Sequence, residues 1–356
     1  MIDGDPFEVT CRLVDIASES FAERTLVDHL EAELRSLDHL EVMRVGDNLV
    51  ARTTRGRSER LILGGHTDTV PANGNFPGHV EGDTLWGVGS ADMKGGLAVM
   101  LTSARRHVDP PIDLTYVFYA REEVASAHSG LGELFDLRPD LLVGDVALLG
   151  EPTDGIIEAG CQGALRFSMT LAGRRAHLAR ALMGRNAVHR AAPVLAALDA
   201  YVPRQPVISG CRYHEALLAI GIEGGVSGNV VPDAVTIRIG HRFAPDRTTA
   251  EAEEHVREVM APFLEEGDVL ELVDAASAAP PAVDHPLVAA LIRRNHLDVT
   301  AKLGWTDVAR FAERGIPAAN FGPGDPTIAH TAGEHVTRDS VERTWAALDD
   351  LISSAD

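Results

Sequence analysis

Apolar side chains recur along the chain at two spacings, and each spacing predicts an element. Residues 6–16 and 21–37 read as helices, the second with Leu26, Leu30 and Leu34 four apart. Residues 40–52 read as two strands around a turn at Gly46-Asp47-Asn48, followed by a buried strand, Leu61 to Leu63, that runs into Gly64 and Gly65. Residues 95–107 return to helical spacing, with Leu97, Met100, Leu101 and Ala104 on one side. The densest apolar run, Leu114 to Ala120, is short and aromatic enough to be a central strand, and a shorter run spans Val146 to Leu149. Strands alternating with helices in this way predict an α/β layer fold.

Near Arg166 the pattern changes. Phe167, Met169 and Leu171 alternate as in a half-exposed strand, residues 185–201 are helical, and residues 217–222 and 230–243 read as strands. Thr248 and Glu251 carry a capping-box signature for the next helix, and residues 269–273 make a further strand. This β-α-β-β-α-β order is that of a ferredoxin-like α+β domain. After an Ala- and Pro-rich stretch at 275–282 the first pattern resumes, with helices at 286–295 and 306–314, a strand at 317–321 and a last helix from a cap at Asp339 and Glu342. The expected organisation is one α/β domain, residues 1–165 and 283–356, interrupted by an inserted domain, residues 166–282.

Composition narrows the partners. A chain of 356 residues suits two domains at roughly 150 residues each. Its net charge of −21 argues against a nucleic-acid or anionic-membrane surface, which needs basic patches. An anionic substrate would have to be met by locally placed arginines. Met1 to Asp5 offers neither a basic n-region nor an apolar h-region, so no secretory signal is expected. The three cysteines, Cys11, Cys161 and Cys211, are far apart and form no C-x-x-C pair, which suits a reducing cytoplasm. Any metal site is therefore expected from histidines and carboxylates.

Such residues stand where the predicted strands end. His66, the pair Glu122-Glu123, and Glu151 each lie just past a strand, and His330 follows the strand at 317–321 after a Gly- and Pro-containing loop. The carboxyl end of the strands is where open α/β sheets bind ligands. In an extended segment Asp68 shares a face with His66, so its carboxylate is expected to accept a hydrogen bond from one imidazole nitrogen and leave the other for a metal. Asp92 lies among small residues and glycines that let the backbone turn tightly. His66, Asp92, Glu123, Glu151 and His330 are donors of the kind that suit zinc, cobalt or manganese. Five donors, one of them a carboxylate offering an oxygen to each side, suit two ions about 3.5–4 Å apart with a shared water. Glu122 is left over, available as a general base.

Five segments carry a resemblance. Gly65-His66-Thr67-Asp68-Thr69-Val70-Pro71, Gly89-Ser90-Ala91-Asp92-Met93-Lys94-Gly95-Gly96, Glu122-Glu123, Gly150-Glu151-Pro152-Thr153 and Ile328-Ala329-His330-Thr331-Ala332-Gly333-Glu334 resemble, in order, the signatures of the zinc-dependent aminoacylase and carboxypeptidase family, to which acetylornithine deacetylases and succinyl-diaminopimelate desuccinylases belong. The resemblance implies a three-layer catalytic α/β domain with a mixed sheet and an inserted dimerisation or lid domain. It implies that Asp92 bridges two zinc ions, with His66 and Glu151 completing one site and Glu123 and His330 the other. Glu122 would be the base and Asp68 the partner of His66. Val88 stands where relatives more usually carry Arg.

The inserted domain carries further matches. Gly173 to His177, followed by Asn186-Ala187, resembles the segment whose histidine reaches the partner subunit's site in a homodimer and holds the tetrahedral oxyanion, a role implied here for His177. Asn229 and Arg242 match substrate-contacting positions of relatives. Gly304 to Phe311 is similar to a segment of the desuccinylases, and Arg242 and Arg310, with Thr306, are expected to meet substrate carboxylates, which bidentate arginine contacts suit. The expected reaction is hydrolysis of N-succinyl-LL-2,6-diaminopimelate. N-acetylornithine or another N-acyl amino acid is the alternative substrate, followed by a carboxypeptidase reaction. A binding protein without turnover would have no need of the base at Glu122.

Overall fold

Strands rich in branched and aromatic side chains lie side by side in the computed structural model, which describes residues 4–354; of the segment in which no leader was expected, Met1 to Asp3 fall outside that range. An eight-stranded sheet runs in the order Glu41–Val45, Asn48–Arg52, Asp113–Tyr119, Arg60–His66, Val146–Leu149, Ala318–Asn320, Ile157–Ala159 and Val299–Ala301. Arg60–His66 is parallel to Asp113–Tyr119 and to Val146–Leu149, which is parallel to Ala318–Asn320. The first hairpin and Ile157–Ala159 join antiparallel, so the sheet is mixed. Every residue of Asp113–Tyr119 is buried, as expected of a strand covered on both faces.

Helix Gly95–Arg106 packs against Pro6–Val14 and Arg338–Ser353. Glycine is required near its start, since a Cβ on Gly96 would lie 2.1 Å from the Gly150 carbonyl oxygen. That close approach brings the helix onto the loop that carries Glu151. Among the described residues no helix is long and apolar enough to cross a membrane.

The chain divides into two compact units. The first contains the residues up to Gly160, Pro281–Thr300 and those from Arg310 on; the second is Cys161–Pro280 with Ala301–Ala309. The division falls earlier than Leu165 because Gly163–Ala172 is one unbroken strand of the second unit's sheet. In that antiparallel sheet the order is Ala216–Gly224, Ala234–Phe243, Gly163–Ala172, Val269–Ala276. Alternate residues Leu165, Phe167, Met169 and Leu171 pack with Val235, Ile237 and Ile239 against helices Ala187–Asp199 and Thr249–Met260. The Thr248–Glu251 capping box is formed in full.

Several boundaries differ from the pattern. The strand expected over 230–243 breaks into Val230–Val231 and Ala234–Phe243, with Pro232, which has no N–H to give a ladder, at the break. The helix expected over 306–314 shortens to Val308–Ala312, closed by Gly315 at φ +76. The last helix is capped by Thr337, whose side chain accepts from the Ser340 N–H, rather than by Asp339. A small sheet of His335–Thr337, Thr84–Trp86 and His79–Glu81 was not expected.

Candidate metal centre

Three parallel strands end together and carry the first donors. Arg60–His66 ends on His66 itself, Glu122-Glu123 follow Asp113–Tyr119 at a short turn, and Glu151 follows Val146–Leu149. The Gly150 N–H donates to the Gly64 carbonyl at 2.9 Å, which ties the Glu151 loop to the strand of His66. Asp92 comes from an irregular turn, Ser90–Lys94, entered through Gly89 at φ +77, a conformation that glycine adopts freely. His330 enters from a loop and is itself left-handed, at φ +63, a backbone state that costs a β-carbon-bearing residue energy and clusters at functional sites.

The five donors fall into two overlapping sets. Ligand atoms of His66, Asp92 and Glu151 lie within 4.8 Å of one another, and so do those of Asp92, Glu123 and His330. His66 Nε2 is 3.0 Å from Asp92 Oδ1, while His330 Nε2 is 3.4 Å from Asp92 Oδ2 and 2.8 Å from Glu123 Oε1. Each oxygen of Asp92 therefore faces a different histidine. A third set joins His66 with Glu122 and Glu123. The set contains imidazole and carboxylate donors and no thiolate, a combination that fits a pair of divalent cations of the zinc, cobalt or manganese type.

The charges are coupled. Complete burial works against a charged His66, yet the hydrogen bond and charge of Asp92, with Asp68 and Glu151 adding, hold its pKa well above the ordinary range. Burial would raise the Asp92 carboxyl, but hydrogen bonds from His330 and His66 hold it well below the usual value. His330, half exposed, is pushed up to about 10 by its hydrogen bonds to Asp92 and Glu123.

Asp68 corrects an expectation. Its backbone carbonyl, not its carboxylate, lies 2.9 Å from His66 Nδ1, and the carboxylate is 3.6 Å from that nitrogen. The strand ends at His66, so side chains two apart no longer share a face beyond it. The carboxylate instead accepts the backbone N–H of Glu122 at 2.9 Å and of Glu123 at 3.1 Å, and the Ser20 hydroxyl at 2.8 Å. Asp68 thus orients the imidazole through its carbonyl and the two glutamates through its side chain.

The remaining predicted residues divide between the two units. Arg310, in the first unit, donates to Ser126 Oγ at 2.9 Å. In the second unit His177 is exposed and pairs in register with Val230, next to Asn229, whose carbonyl accepts the Leu178 N–H. Arg242 is exposed on its strand, whereas Thr306 is 4% exposed. Sequence reasoning gave no role to Ser20, to Glu334 or to Lys94. Lys94 is buried, donates from Nζ to the Ile16 carbonyl at 2.7 Å, and is brought down to about 7 by burial.

A mixed α/β sheet with carboxylates and imidazoles gathered beside its strand ends fits a metal site, and the family it matches makes the chain a metal-dependent hydrolase. The chain belongs to peptidase family M20/M25/M40, which its residues 62–354 match. It is 49% identical over 335 residues, 94% of each chain, to the putative succinyl-diaminopimelate desuccinylase DapE of Mycobacterium tuberculosis. It is 42% identical to the succinyl-diaminopimelate desuccinylase of Corynebacterium glutamicum, over 98% of this chain and 96% of the relative. Among solved structures, aminopeptidase PepT from Bacillus cereus superposes with a TM-score of 0.79 at 20% identity, covering 98% of this chain and 97% of that one. The YXEP protein of Bacillus subtilis, described as a dinuclear metal-binding peptidase of family M20, gives 0.70 at 16% identity, covering 98% and 96%.

Proposed function

We propose that this chain is a succinyl-diaminopimelate desuccinylase, hydrolysing N-succinyl-LL-2,6-diaminopimelate to succinate and LL-2,6-diaminopimelate with two divalent cations, zinc in the first instance. The observation that carries the two-cation reading is Asp92, whose two oxygens each face a different histidine at 3.0 and 3.4 Å. The identities of 49% and 42% to proteins named as desuccinylases support the substrate.

His66, Asp92 and Glu151 would hold one cation and Asp92, Glu123 and His330 the other. Bound there, the pair would polarise the amide carbonyl and acidify the attacking water. Glu122 takes the proton of that water and delivers it to the leaving amine. Its reach is set by Asp68, which grips the Glu122 N–H. Arg242, Arg310, Thr306 and Asn229 receive the substrate's carboxylates and polar groups, and the partner's His177 steadies the oxyanion. The exposed position of His177 suits that reach. A homodimer is supported by the edge strand Ala216–Gly224, which leaves Leu218, Ile220 and Ile222 exposed, a surface ready to add another strand. Cys11, Cys161 and Cys211 form no disulfide, which suits a reducing compartment, and we place the reaction in the cytoplasm.

The experiment is a comparison of kcat/KM for the zinc-loaded protein on N-succinyl-diaminopimelate and on N-acetylornithine. Preference for the succinyl substrate is expected; preference for the acetyl substrate overturns the assignment. Light scattering that shows a monomer would remove the role given to His177.

A further inference from the structure

Glu334 is 1% exposed, and no step above uses it. A carboxylate buried this far is costly unless hydrogen bonds replace its water. Its Oε1 accepts the backbone N–H of Ala91 at 3.1 Å and of Asp92 at 3.0 Å, across 243 and 242 positions of sequence. The Glu334 carbonyl in turn accepts the Gly87 N–H at 3.1 Å, and the next three residues, His335–Thr337, pair in register with Thr84–Trp86. One short stretch of chain thus offers the His330 imidazole to Asp92 Oδ2, grips the Asp92 backbone four residues later, and then zips onto the strand that leads into the Asp92 turn.

We infer that Glu334 is a positioning residue: through the amides of Ala91 and Asp92 it sets the direction of the Asp92 carboxylate, and so couples the two cation positions to each other. The inference rests on the reading of Asp92 as the shared ligand. Two torsions separate the Asp92 backbone from its oxygens. A backbone free to rotate there would swing both oxygens at once, and supporting groups left loose are what spoils a ligand set. Losing the clamp should therefore weaken both positions together, whereas loss of His330 alone would weaken one.

Two variants of the full chain separate reach from charge. Glu334→Gln keeps an acceptor oxygen at the same distance and discards the charge. Glu334→Asp keeps the charge and withdraws the oxygen by a methylene. Metal-free protein is titrated with Co²⁺, followed by its visible absorption and by calorimetry, with thermal melting of the metal-free forms alongside. Glu334→Gln is expected to take up two ions with little change in affinity. Glu334→Asp is expected to lose about 10- to 100-fold for both ions, the range for groups that hold ligands, with an altered absorption spectrum and a melting temperature close to that of the wild type. The inference is overturned if both variants bind like the wild type, if Gln loses and Asp keeps affinity, or if Asp weakens only one ion. A wild type that takes up fewer than two ions would instead sink the shared-ligand reading itself.

Discussion

Asp268 in the second unit and Asp92 in the first are both carboxylates largely withdrawn from water, and their charges are settled in opposite ways. The Asp268 side chain is 0% exposed and sits 2.6 Å from the Arg190 guanidinium, which is itself 10% exposed. It also accepts the backbone N–H of Ala172 at 2.7 Å and of Glu265 at 2.8 Å. Asp92 is held by His66 and His330. Arginine stays charged at any pH a protein survives, so Asp268 is balanced permanently by its own chain. A metal ion can replace the proton on an imidazole nitrogen and take up its lone pair, an exchange that a guanidinium does not offer. A buried acid that serves architecture is paired with a cation that cannot leave, and one that serves chemistry is paired with groups that can be exchanged.

The contrast can be broken or sharpened by experiment. The largest effect is expected for Asp92→Ala: both ions should be lost together and hydrolysis should fall to background, measured by metal stoichiometry and turnover. Asp268→Asn should leave two ions bound, and if it does not, the contrast is wrong. Next comes Glu122→Gln, expected to keep both ions while kcat falls about 10²- to 10⁴-fold. Arg190→Met removes the permanent partner and strands a buried charge, which costs about 3–5 kcal/mol where such pairs are broken; urea unfolding should register this while the metal-binding spectrum stays put. The smallest effect is in acid. Asp268 is brought from 3.8 to about 2: burial would raise it, and hydrogen bonds from Arg190, Ala172 and Glu265 with the charge of Arg190 overcome that. A depressed carboxylate stabilises above its unfolded pKa and loses that contribution as pH falls through its folded one. At about 1.4 kcal/mol per unit, about 2 kcal/mol should disappear between about pH 4 and pH 2, and Asp268→Asn should flatten that part of the pH–stability curve.

Much of the fold was legible because its central elements obey one period each. Asp113–Tyr119 and Val146–Leu149 are continuous apolar runs, and Gly163–Ala172 alternates strictly in burial. The small sheet of His79–Glu81, Thr84–Trp86 and His335–Thr337 was not, because strands of three residues with histidines and a tryptophan carry no readable period. At the site, donor residues were found because they follow strands. Asp92, which lies off the strand ends, was reached through the glycines around it, and His330 through the strand at 317–321 that precedes its loop. The supporting contacts were opaque. That Asp68 uses its carbonyl on His66 and its carboxylate on Glu122 and Glu123 depends on where the strand stops, and Glu334 reaches Asp92 across most of the chain.

The order of strands has a consequence for how this protein is made. Ala318–Asn320 lies between Val146–Leu149 and Ile157–Ala159, so a slot inside the sheet cannot be filled until the ribosome has passed the whole of the inserted unit. Domains generally fold as units, earlier ones during synthesis, and the second unit, with a core of its own, has every residue up to Pro280 in hand well before that slot closes. The nascent first unit must hold His66, Asp92, Glu123 and Glu151 beside an unfilled gap, and only the last tenth of translation delivers both His330 and the clamp that steadies Asp92.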